Sequence, residues 1–144
     1  MKVINILHAK GQRIATIRPD AAIGTAVRRL RLEGIGALVV SEDGEHVLGI
    51  VSERDVVRAL ADHGNQLTSM HVMDIMTRSV KTCRPDDSIK HVMAEMTRSR
   101  IRHLPVMEHG AMCGIISIGD VVKNRLEEIE LEASVLRDAY IASH

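Results

Sequence analysis

The chain carries one passage twice. Thr16-Ile17-Arg18-Pro19-Asp20 returns 66 positions later as Thr82-Cys83-Arg84-Pro85-Asp86. The register then holds, pairing Ile23 with Ile89, Ile35 with Ile101, Leu38 with Leu104, Val40 with Val106 and Gly44 with Gly110. One residue drops out, after which Gly49-Ile50-Val51-Ser52 matches Gly114-Ile115-Ile116-Ser117 and Asp55-Val56-Val57 matches Asp120-Val121-Val122. Two copies of a unit of about 60 residues must therefore be accommodated. Alone, a unit of that size buries too little surface for secure stability. Closing the copies on each other across a pseudo-twofold axis solves this, and leaves two related clefts between them.

Each copy reads as β-α-β-β-α. A short strand ends at the Thr-x-Arg-Pro-Asp segment, where proline breaks the ladder and Asp20 or Asp86 is placed to cap a helix. The first helix has Ile23, Val27 and Leu30 at helical spacing, or Ile89, Met93 and Met96 in the second copy. Ile35–Val40 and Ile101–Val106 are apolar enough for buried strands. Gly44 and Gly110 turn hairpins, and Ser52 and Ser117 open second helices. Val121 to about Tyr140 reads as one long helix, with Leu126, Ile129, Ala133, Leu136 and Tyr140 near one face. The expected class is α/β (α+β): residues 1–65 form the first unit with an N-terminal segment, 66–79 a linker, 80–126 the second unit and 127–144 a helical extension.

Composition closes off several functions. Nineteen Lys and Arg balance nineteen Asp and Glu among 144 residues, so no field exists to hold a nucleic-acid backbone. No Trp and no Phe are present, and Tyr140 stands alone, which removes base-stacking platforms. The isolated Cys83 and Cys113 point to neither a disulfide framework nor a zinc site. Met1–His8 is too short and too broken for a signal peptide, and no apolar run spans a membrane. A cytoplasmic protein is the expectation. The histidines lack metal-ligand spacing, and no catalytic constellation can be placed.

Chemistry concentrates in Gly49–Asp55 and Gly114–Asp120. A strand-end glycine, a hydroxyl at the helix start and an aspartate three residues on suit a nucleoside phosphate: helix N–H groups attract anions, and the carboxylate can accept from the vicinal diol of ribose. Ser-x-x-Asp is also the pattern of a capping box. Gly119 tips the balance, because a cap alone prefers a helix former there. The second cluster is Arg98, Arg100, Arg102 and His103 at the mouth of a buried strand, suited to phosphate or to a solvated surface. Arg54 can add to it from the first copy.

Taken together, the paired Gly-Ile-Val-Ser-Glu-Arg-Asp and Gly-Ile-Ile-Ser-Ile-Gly-Asp segments, with Arg100-Ile101-Arg102-His103-Leu104-Pro105-Val106 before the second hairpin, resemble the tandem cystathionine-β-synthase (CBS) domain pair, or Bateman module. The resemblance covers residues 8–126. It implies clefts that bind AMP, ADP, ATP, NAD(H) or S-adenosylmethionine, with no cofactor required. It places ribose on Asp55 and Asp120, the hydroxyl on Ser52 and Ser117, adenine beside Thr16 and Thr82, and phosphate on Arg102, His103 and Arg54. Gly36 and Ala37 stand where the second copy has Arg102 and His103, so the clefts should differ, with Asp120 anchoring the better one. The resemblance also implies a homodimer and an unknown effector protein, with no nucleic acid or membrane partner. A protein-protein adaptor with vestigial clefts is the alternative, and an enzyme acting on a nucleotide is the third reading.

Overall fold

The computed structural model describes residues 1–11 and 13–144. Helix α1 (Val3–Lys10) precedes β1 (Thr16–Ile17), α2 (Ile23–Glu33), β2 (Ala37–Val40), β3 (Gly49–Ser52) and α3 (Glu53–His63). A 3-10 turn (Gly64–Ser69) leads into the short α4 (Val72–Ile75). The second copy supplies α5 (Ile89–Ser99), β4 (His103–Glu108), β5 (Ala111–Ser117) and α6 (Ile118–Ser143).

In the first copy β1 runs parallel to β2, and β2 antiparallel to β3, with Leu38 opposite Val51 and Val40 opposite Gly49. The second copy pairs β4 with β5, Leu104 opposite Ile116 and Val106 opposite Gly114. Its expected first strand at Thr82 shrinks to a single parallel bridge, Cys83 with Val106. Gly44 and Gly110 both take positive φ, 80° and 79°, as their hairpins require. Ile23 and Leu30, like Ile89 and Met96, are buried as the spacing predicts, and only the middle position of each face shifts by one residue. Ala26 and Val92 are buried, while Val27 is exposed and Met93 only packs at the core margin. Asp20 does not cap α2, whose cap position is Ala22 without a side-chain bond; Asp20 instead takes the Arg18 guanidinium. Helix α5 is capped by Ser88, not Asp86.

The N-terminal segment holds an unexpected helix, and the duplication explains it. Met1-Lys2-Val3 and Ile6 correspond to Met70-His71-Val72 and Ile75. Both segments dock identically: Val3 N–H donates to Asp87 C=O and Val72 N–H to Ala21 C=O, each at 2.9 Å. Each docks on the other copy's half. Val3, Ile6 and Leu7 join the second copy's core with Ile89, Met96, Leu104 and Ile116, whereas Val72, Ile75 and Met76 pack with the first copy's Ile17, Leu38 and Val51. The strand-end glycines make this possible. A Cβ on Gly114 would lie 2.5 Å from Leu7 Cδ2, and one on Gly49 only 2.7 Å from the Thr77 carbonyl and 2.8 Å from Met76 Sδ.

Candidate functional site

Two clefts flank the place where the starts of β2 and β4 meet. Gly36 abuts His103 there, and both residues line both clefts. The first cleft, about 490 Å³, draws Ser52, Arg54 and Asp55 from the first copy and Arg100, Arg102 and His103 from the second. Asp55 is nearly buried. Its Oδ2 accepts from Ser52 N–H at 2.8 Å and from Ser52 Oγ at 3.0 Å, and its Oδ1 from Thr77 Oγ1 at 2.9 Å. It is thus a helix cap and a cleft wall at once. A carboxylate offers about four acceptor positions, and two of the three donors it holds are hydroxyls free to turn elsewhere. Two incoming O–H groups can replace them while the Ser52 N–H keeps the carboxylate oriented.

Charge in this cleft is strongly one-sided. Arg54, Arg58, Lys81, Arg100 and Arg102 face only Glu53 and Asp55. Lys81 is shared with Glu95 at 3.0 Å, and Arg54 donates to the Arg100 carbonyl at 3.4 Å across the mouth. Burial pushes the His103 imidazole below its ordinary 6.5, helped by Lys10 and Arg102 and opposed by Glu53 and Asp120. The ring is neutral at pH 7.

The second cleft, about 440 Å³, is furnished differently. Lys10, Arg13, Gly36, Ala37, Ile115 and Ser117 are among its walls. Asp120 is not part of that lining; it repeats the cap, accepting from Ser117 N–H at 2.9 Å. Here Lys10 Nζ occupies the carboxylate at 2.7 Å and also reaches the Ile115 carbonyl at 3.1 Å. Burial pushes the Asp120 carboxyl up, but the Lys10 ammonium and the Ser117 bonds outweigh it and hold the group below its ordinary value.

The copies contribute crosswise, which rearranges the expected set. Arg102 joins Asp55 and not the Asp120 of its own copy, while His103 lines both clefts, because each cleft combines one copy's helix start with the other copy's strand mouth. Thr16 and Thr82 line neither described cleft. Thr82 is exposed, and the Thr16 carbonyl is taken by the Arg29 guanidinium. Gly119 has no packing reason: a Cβ there would meet only Ser117 Oγ at 3.6 Å. Thr77, Arg58, Lys81 and Lys10 were not singled out from sequence, since none stands in a repeated motif. Histidine spacing also gave no warning of the exposed loop cluster of Asp43, Glu45 and His46, where Asp43 already accepts from His46 at 2.5 Å.

Comparison with known proteins agrees with this architecture. The CBS domain family matches twice, over residues 11–62 and 72–127. A CBS-domain containing protein of Agrobacterium tumefaciens, ATU1752, superposes with a TM-score of 0.84 at 42% identity, covering 87% of this chain and 99% of that one. The CBS domain pair of protein MJ0100, in complex with 5'-methylthioadenosine and S-adenosyl-L-methionine, gives a TM-score of 0.74 at 25% identity, covering 85% and 98%. The CBS domain-containing protein CBSX3, mitochondrial, of Arabidopsis thaliana is 39% identical over 126 residues, 85% of this chain but only 61% of that protein. Among the described residues no helix is long and apolar enough to cross a membrane. With both repeats matched and the fold shared, the chain belongs to the CBS domain family, as a tandem pair.

Proposed function

We propose that the chain is a regulatory module, not a catalyst, that takes one adenosine-containing ligand per chain in the Asp55 cleft and passes its occupancy to a partner protein. The observation that carries this reading is the Asp55 carboxylate, nearly buried at the wall of a cleft with five cationic side chains against two acidic ones. That charge favours phosphorylated ligands: AMP, ADP, ATP or NAD(H) over S-adenosylmethionine, whose sulfonium is repelled. Ribose meets Asp55 and Ser52, and phosphate meets Arg54, Arg102 and His103. The ligands of the MJ0100 pair support the adenosine half of the assignment.

At the second cleft, which Ser117 and Lys10 line and Asp120 does not, Lys10 takes the Asp120 carboxylate that a diol would need. The expected stoichiometry is therefore one, and Lys10→Ala should open a second, weaker site. Calorimetric titration with ATP, AMP and S-adenosylmethionine tests both points. ATP and AMP are expected to bind ahead of S-adenosylmethionine at one per chain. Absence of heat from all three at millimolar concentration would leave the adaptor reading, which the exposed length of α6 favours.

A further inference from the structure

We propose that the Asp55 cleft takes its ligand as a free polyphosphate anion, stripped of magnesium, so that Mg²⁺ competes with the protein for it. This rests on the nucleotide reading above and adds the ionic form that the cleft selects.

Four of the cleft's cations are arginines. Arg54, Arg58, Arg100 and Arg102 have no ion-pair partner among the described residues. The fifth cation, Lys81, is already held, donating to Glu95 at 3.0 Å and to Ser99 Oγ at 2.8 Å. A guanidinium keeps its charge across the physiological pH range and presents a fork that fits two phosphate oxygens. Arg54 and Arg58 stand one turn apart on α3, while Arg100 and Arg102 come from the other copy. A chain of phosphates in the cleft is therefore met from both sides. Four such forks call for more than one phosphate group.

The same walls offer a metal ion little. Sites that take magnesium together with a nucleotide supply one or two carboxylates to the ion. Both Asp55 oxygens are engaged by Ser52 and Thr77, where the ribose is assigned. Glu53 is the only other acid in the lining, and its Oε1 stands over Gly36, 3.0 Å from where a Cβ would lie. Among the described residues, the one group of three converging metal-ligand side chains is Asp43, Glu45 and His46, on a loop that lines neither cleft. A magnesium ion carried in on the phosphates would bring its charge among the arginines and occupy the oxygens their forks need. It would also cancel two of the ligand's negative charges.

Calorimetric titration of the full chain with ATP tests this, once in excess magnesium chloride and once in chelator with sodium chloride at matched ionic strength. Magnesium is expected to raise the ATP dissociation constant about tenfold and to leave AMP, which holds the ion weakly, unchanged. Arg58→Gln should weaken metal-free ATP more than the magnesium complex, so the magnesium penalty shrinks. Equal or tighter ATP binding in magnesium overturns the proposal, and loss of that gain in Glu53→Gln would place the metal on Glu53. Inorganic tripolyphosphate separates this inference from the nucleotide reading. Tripolyphosphate binding that magnesium weakens, with no heat from ATP or AMP, would sink the adenosine assignment and keep the polyphosphate one. No heat from any of the three removes both.

Discussion

Arg100 occupies a backbone position its side chain does not favour. It closes α5 with φ 54°, where the first copy closes α2 with Gly34 at φ 64°. A left-handed conformation costs a non-glycine residue about 1–2 kcal/mol, and glycine's extra chain entropy offsets only part of that. Retaining arginine there makes sense where the guanidinium serves the cleft it lines. Arg100→Gly is expected to raise stability in urea by about 0.5–1 kcal/mol while weakening ATP binding severalfold.

His103 gives a second residue-scale test. Its folded pKa lies below 6.5, so the folded state binds fewer protons than the unfolded one. Stability from this group is complete above the unfolded pKa and falls as pH drops below 6.5 toward the folded pKa. A bound phosphate raises the ring's pKa, so ATP affinity should move the opposite way and strengthen over that interval. His103→Gln should flatten both profiles, measured by urea melts and titrations from pH 5 to 8. Sequence made Asp55, Asp120, Arg102 and His103 legible because repetition and clustered charge mark them. It could not pair them across copies. Nothing in one dimension says that a helix start from one copy faces the strand mouth of the other.

At the scale of elements, the exchanged helices α1 and α4 bind the halves together. The two strand-end glycines exist for them. Gly114→Ala forces a Cβ to 2.5 Å from Leu7 and should destabilise the chain by about 1–3 kcal/mol, and Leu7→Ala, itself costly in a filled core, should cost less in that background than in the wild type. Gly119→Ala, by contrast, meets only Ser117 Oγ at an ordinary contact distance of 3.6 Å and should leave stability unchanged or raise it by up to about 1 kcal/mol; thermal melts of the two variants separate a packing glycine from a dispensable one. The two-copy β-α-β-β-α order, the hairpin glycines and the long last helix were readable from spacing alone. Helix α1 was not, because its repeat with α4 rests on Met1, Val3 and Ile6 at an offset of 69, three residues out of the main register. The single bridge at Cys83 in place of a strand likewise lies below what propensity can resolve.

On the scale of the whole molecule, duplication produced two clefts that have since diverged. One gathers arginines around a carboxylate that keeps exchangeable hydroxyl partners; the other has its carboxylate held by a lysine of the chain itself. A nucleotide bridging the first cleft would touch both copies at once, and its occupancy would be felt where the halves meet at Gly36 and His103. The most direct test is a side-by-side titration of ATP into the wild type, Asp55→Asn and Asp120→Asn, with each variant's fold checked by thermal melting. Loss of charge-assisted bonds should weaken Asp55→Asn about 10–100-fold and leave Asp120→Asn close to wild type. Undiminished binding by Asp55→Asn, or a loss confined to Asp120→Asn, would contradict the assignment.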